Sequence, residues 1–269
     1  MSNGQTTERV DEVSDAYKPA KNCDTVCGWL YYVVVAISIA ILFSDAIKAA
    51  DWKGYGDEIV VALKTAFLIL TIVLFGLFVV SKLWLIPAAE RVRRKQLLTD
   101  AFGAIITPET TVGYYNNAFP PSTQRLAASV MENALFGKEV ARQMLPSVRV
   151  KTVVYLIVWL VILIVRQSSL DLVLWISQIV FSVDILAYWI SLEMLRSRHA
   201  RVYDDLYPHF LHNHGEENAE GKATILDLFA TYESSKAVVG VLLDSKVFFR
   251  ENERISKKWE DVRGKLNIP

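Results

Sequence analysis

Residues 59–81 read IVVALKTAFLILTIVLFGLFVVS, with Lys64 as their one charge. A helix rises about 1.5 Å per residue, so roughly 20 mostly apolar residues suffice to cross a bilayer. This stretch is long enough. Three more apolar stretches share the chain, Gly28–Ile47, Thr152–Val165 and Leu170–Leu192. The first and last of these are also full length. The third has only 14 residues before Arg166, but Arg166 can snorkel to the interface, and the span that follows requires the chain to cross and return. The expected fold is an all-α membrane protein with four transmembrane helices in two hairpins, 28–81 and 152–192, and a helical cytoplasmic region.

The composition agrees with that segregation. Of 269 residues, 52% are apolar and 22% charged, with a mean hydropathy of +0.27. The chain is too apolar for an ordinary soluble domain and too charged to lie wholly in a membrane. Residues 1–27 hold five acidic and three basic side chains, the wrong sign for the start of a secretory signal. Cys23 and Cys27, four apart, read as small half-buried thiols and not as a disulfide framework.

Charge placement sets the expected orientation. Net charge is zero, yet residues 82–151 hold ten Lys/Arg against five Asp/Glu, and Arg196, Arg198 and Arg201 follow the fourth span. Basic residues near span ends stay inside. The N-terminal segment 1–27, the insertion 82–151 and the C-terminal region 193–269 are therefore expected in the cytoplasm, with short loops outside. In the first hairpin, Asp45 and Lys64 sit near the outer end, where they could satisfy each other.

Both cytoplasmic regions read as helical. Gly103, Pro108, Gly113, Asn116, Asn117 and Pro120–Pro121 punctuate a loop. Ser122 is a good N-cap for a helix expected to end near Gly137, with a kink or break at Pro146. Phe248, Asn252, Ile255, Trp259, Val262 and Leu266 form a stripe at helical spacing, suited to packing against other cytoplasmic helices.

No enzyme signature is present: no phosphate-cradling glycine loop, no nucleophile elbow and no paired-histidine zinc motif. The chain reads as a non-enzyme with no cofactor. His199, His209, His212 and His214 fall within sixteen residues, and Glu216 and Glu217 follow. Imidazoles suit transition metals, but a solvated loop without a further ligand group favours a polar segment, so no metal is assigned.

Two groups of residues are candidates for function. On the fourth span, Ser177, Phe181, Asp184, Tyr188 and Ser191 recur at spacings of four and three. An ionised carboxylate in lipid is expensive, at least ~3 kcal/mol on insertion scales. The stripe must therefore face protein or water. Either Asp184 lines a pore built from several copies, or it hydrogen-bonds a neighbouring helix. In the cytoplasmic insertion, Arg91, Arg93, Arg94 and Lys95 precede Tyr114, Tyr115, Asn116, Asn117 and Arg125. Basic groups beside aromatic faces suit a nucleotide or short single strand. Anionic lipid headgroups would explain the basic run as well.

The layout of two spans, a basic helical insertion, two spans and a helical tail resembles the four-transmembrane (S-4TM-like) effectors of bacterial anti-phage defence. The membrane channel component of the Hailong system is a similar case. The local likeness is RRKQLLTDAFGAIIT, residues 93–107. That family's segment ends in a Pro-Trp pair, whereas here the chain passes Pro108 without a Trp. The resemblance implies a homo-oligomer, such as a tetramer, that conducts ions through the bacterial inner membrane. It further implies a nucleotide or oligonucleotide ligand and a partner nucleotidyltransferase. The alternative is a membrane scaffold or anchor subunit that recruits a partner enzyme.

Overall fold

The computed structural model describes residues 10–49, 54–112, 114–164, 185–212 and 218–269. Among these residues the regular secondary structure is helical apart from one short ladder. The helices are α1 (Lys18–Leu42), α2 (Ser44–Ala49), α3 (Gly56–Val80), α4 (Ile86–Phe102), α5 (Thr123–Ile164), α6 (Ile185–His212), α7 (Ala219–Val239) and α8 (Ser245–Lys265). A 3-10 segment, Glu12–Tyr17, leads into α1, and a π-helical segment, Ser81–Leu85, joins α3 to α4. Pro87 gives a reason for the π segment. It has no N–H for the carbonyl of Leu83, so the regular α-helical bond cannot form there. The ladder pairs β1 (Val10–Asp11) antiparallel with β2 (Thr111–Val112), placing Asp11 opposite Thr111.

The chain divides into two compact units. One, here the apolar unit, comprises Pro19–Leu85 and Arg149–Ala187. In it α1 and α3 meet along a narrow seam in which Val34, Ile41 and Phe67 are buried, flanked by Ile37, Leu63, Leu70 and Leu74. Spacings of three and four put each set on one helix face. The other faces are just as apolar and point outward: Trp29 is 71% exposed and Phe75 68%. At the hairpin tip Lys48 pairs with Asp57 at 2.8 Å. Asp57 lies in the first turn of α3, and the pair expected between Asp45 and Lys64 is not found among the described residues. Cys23 and Cys27 are free and half-buried.

Two helices are long and apolar enough to cross a membrane, Glu12–Ile41 and the continuous run Gly56–Phe102, with window hydropathies of 1.7 and 2.5. Only 17% and 6% of these apolar windows are buried. The expected third span falls at the end of α5. Residues 165–184, which hold most of the expected fourth, lie outside the described residues.

The second, helical unit comprises Met1–Lys18, Ile86–Val148 and Tyr188–Pro269. Its core takes Leu97 from α4, Leu126, Met131 and Leu135 from α5, Leu192 and Leu206 from α6, Ile225 from α7 and Ile255 and Trp259 from α8. The α8 stripe read from the sequence faces this core. Ser122 caps α5 as expected, its Oγ accepting from Arg125 N at 3.2 Å. Asn218 and Asp244 cap α7 and α8 in the same way.

The end expected for α5 near Gly137, and the break at Pro146, are not found. The helix continues through both to Ile164. Gly137 is a packing residue and not a stop. A Cβ there would meet the His199 ring, with Cε1 at 2.6 Å. Only a residue without a side chain lets α6 approach α5 this closely.

Candidate functional site

The polar centre of the helical unit is built where the N-terminal strap, residues 10–17, crosses α4. Val13 at the middle of the strap is fully buried. Glu12 holds it in place by accepting from the N–H and hydroxyl of Thr110, at 2.8 and 2.9 Å. On either side of Val13 a polar residue reaches α4. Arg93 Nη2 donates to Asp11 Oδ2 at 3.1 Å, and Tyr17 donates its hydroxyl to Glu90 Oε1 at 2.8 Å. Residues 90 and 93 lie one turn apart on the same face of α4.

Arg93 is thereby caged. Its guanidinium carbon lies 4.6 Å from the centroid of the Tyr114 ring and 5.9 Å from that of Tyr17, within reach of both ring faces. Its side chain is only 14% exposed. Nη1 and Asp11 Oδ1 are buried, and neither has a hydrogen-bond partner among the described residues.

Glu90 extends the network to α7. Lys236 Nζ lies 2.8 Å from Glu90 Oε2 and 2.8 Å from Glu233 Oε1, and over the Tyr232 ring at 4.8 Å. Burial works against the charge on Lys236, but Tyr232, Glu90 and Glu233 outweigh it and hold its pKa well above the ordinary value. Burial raises the Glu233 carboxyl, which Lys236 only partly offsets.

Beyond Tyr232 stands His199, its ring centroid 5.1 Å from that of the tyrosine. Neither of its ring nitrogens has a partner among the described residues. Burial, and secondarily the Lys236 charge, push its pKa down to about 3. It is a neutral imidazole. It therefore stands apart from the other histidines: His209 is half-buried on α6, His212 is exposed at its end, and His214, Glu216 and Glu217 lie outside the described residues. Among the described residues no three His, Cys, Asp or Glu converge as a metal site.

The remaining residues expected at a ligand site separate into two groups. Arg91, Arg94 and Lys95 are exposed on α4. The rest serve the fold. Arg125 grips Asp100 with two bonds, Nε at 3.2 Å and Nη2 at 2.7 Å. Glu132, buried on α5, accepts from the backbone N–H and the side-chain amide of Asn116 at 3.0 and 2.7 Å. Asn117 bonds Ser129 at 3.2 Å, and Tyr115 packs against the core. Tyr114 and Asn116 line a small pocket with Glu132, Asn133, Phe136, Phe248 and Ser256.

Of the stripe expected to line a pore, Ser177, Phe181 and Asp184 lie outside the described residues. Tyr188 packs against the core of the helical unit and Ser191 is half-buried on α6.

Sequence reading found Arg93 and Tyr114, noted His199 only as one of the clustered histidines, and missed Asp11, Tyr17, Glu90, Tyr232, Glu233 and Lys236. A weak signal was present in the pairs Glu90–Arg93 and Glu233–Lys236, opposite charges three apart on a helix, which ordinarily mark a solvated face. No protein-family model, curated protein or solved structure matches the chain.

Proposed function

We propose that this protein is a membrane-embedded, homo-oligomeric effector that conducts ions across a bacterial inner membrane under the control of a nucleotide or oligonucleotide signal. The carrying observation is the outward-facing apolar surface of α1 and α3. A water-soluble fold would bury so large a surface, and lipid is the solvent that tolerates it. Asp184, within an apolar run and without an intrachain cation at matching depth in the sequence, supplies the reason to read a pore. Carboxylate rings of this kind attract cations. The aromatic cage around Arg93, beside the exposed Arg91, Arg94 and Lys95, supports the signal-binding part of the reading.

The test is ion flux through liposomes reconstituted with the full chain, with oligomer size measured in parallel. Asp184→Asn should lower cation flux or selectivity without disassembling the oligomer. Asp184→Leu should close the path by dewetting and leave assembly alone. Unchanged flux from both variants removes Asp184 from the conduction path. A wild-type chain that passes no ions but co-purifies with a nucleotide-independent enzyme would be a scaffold instead.

A further inference from the structure

Arg93 and Arg125 are both paired with an aspartate in the same unit, and they are paired differently. Arg125 and Asp100 share two parallel bonds, the geometry in which guanidinium and carboxylate fit best. Arg93 and Asp11 share one bond, at 3.1 Å, and leave Nη1 and Oδ1 buried and, among the described residues, unmatched. Buried charged groups with unused hydrogen-bonding capacity are costly. As a structural pair this one is poor. As a site holding a substitute for a better ligand, it is well made.

A phosphate group would be that better ligand. It presents several acceptor oxygens in the same volume and could engage Nη1 and Nη2 together. The Tyr114 and Tyr17 rings beside Arg93 hold its guanidinium in place for such a group. Arg91, Arg94 and Lys95, exposed along the same helix, would raise the local concentration of anions.

The element that carries Asp11 is suited to displacement. β1 is two residues long and pairs with the two residues of β2, so opening it breaks only that ladder and the adjoining Glu12 bonds to Thr110. Val13 and Tyr17, further along the strap, keep their own anchors, so the Asp11 end can open while the rest stays seated. The strap then continues in the chain directly into α1.

We propose that the Arg93 cage is a binding site for a phosphate group, that Asp11 fills it here as an internal competitor, and that ligand entry opens the β1–β2 ladder. This rests on the signal-controlled reading above and names where the signal acts. The phosphate could come from a nucleotide or from a lipid headgroup.

The experiment uses the full chain in nanodiscs, with a mixed-sequence DNA tetranucleotide as probe. One set of discs is zwitterionic and a second contains phosphatidylglycerol. Probe affinity and amide exchange at Glu12 and Thr110, whose N–H groups are both bonded across the strap, are measured. In zwitterionic discs the probe should bind and raise exchange at both amides. Asp11→Asn, which removes the competitor, should tighten binding by about tenfold. Arg93→Gln should abolish it. Asp100→Asn, which breaks the other pair, should change it by less than about twofold.

If Asp11→Asn binds the probe no more tightly than the wild type, or exchange at Glu12 and Thr110 responds to neither the probe nor phosphatidylglycerol, the proposal is wrong. Opening that depends on Arg93 but is driven by phosphatidylglycerol alone would uphold the phosphate site and remove nucleotide control. The measurements involve no ion flow, so loss of the pore reading would leave them intact.

Discussion

A single atom of side chain decides several contacts in this protein, and Gly137 shows it most simply. The His199 ring lies where a Cβ of residue 137 would stand, in a core whose other members, Leu135 and Leu206 among them, are fully buried. Gly137→Ala improves local helix propensity by about 1 kcal/mol, but overpacking at a closed site costs typically 1–3 kcal/mol. Overpacking should win. Chemical denaturation in detergent should show Gly137→Ala destabilised, and the double variant with His199→Ala should recover part of the loss, because removing the ring opens the space. Additive losses in the double variant would mean that the two residues do not compete for it. The same scale separates Arg93 from Arg125: both sit in one basic–aromatic run, but the atoms each one leaves unmatched differ.

At the scale of the elements, periodicity explains what each helix does. The seam of α1 and α3 uses one narrow stripe from each helix, so most of their apolar surface remains exposed. The α8 stripe is similarly regular, but its opposite face is charged, and it packs into the helical unit. The connection between α2 and α3 is the element that reports membrane topology. On the proposed orientation it is outside the cell and α7 is inside. Gly56 is unsuitable for a labelled cysteine, since a Cβ there would meet Lys48 Cα at 2.9 Å. Tyr55 and Glu220 are exposed and serve better. With Cys23 and Cys27 replaced by Ser, an impermeant maleimide applied to intact cells should label Tyr55→Cys and leave Glu220→Cys untouched. Labelling of Glu220→Cys instead would invert the topology.

At the scale of the whole molecule, the buried His199 couples folding to acidity. Its pKa falls from about 6.5 to about 3 on folding, so in acid the unfolded chain takes a proton that the folded chain refuses. Stability is fully present above pH 6.5 and should fall as pH drops from there toward 3, by at most about 1.4 kcal/mol per unit. Glu233 works in the opposite sense. Its raised pKa means that the folded form gains stability as pH falls toward the ordinary carboxylate range. The difference between the wild type and His199→Leu therefore isolates the histidine. Unfolding midpoints from pH 8 to pH 4 should fall more steeply for the wild type than for the variant. Parallel profiles would show that the imidazole keeps its ordinary affinity for protons in the fold.

What the sequence could determine was what depends on near neighbours in the chain. An apolar run of 23 residues at 59–81, the stripe on α8 and the capping serine at 122 are all one-dimensional patterns, and helices obey them because their geometry repeats every few residues. The end of α5 was misread for the same reason: glycine and proline weaken a helix locally, but Gly137 is closely packed against His199 and the helix runs on through Pro146. Only the tertiary structure could bring Asp11 to Arg93, 82 residues away, or seat Lys236 between Glu90 and Glu233. Such pairings depend on which helix faces meet, and no local pattern records that choice. A basic run looks alike whether it binds a ligand, a membrane or an aspartate on a distant strand. Which of its members remain free is decided only when the strap closes over α4.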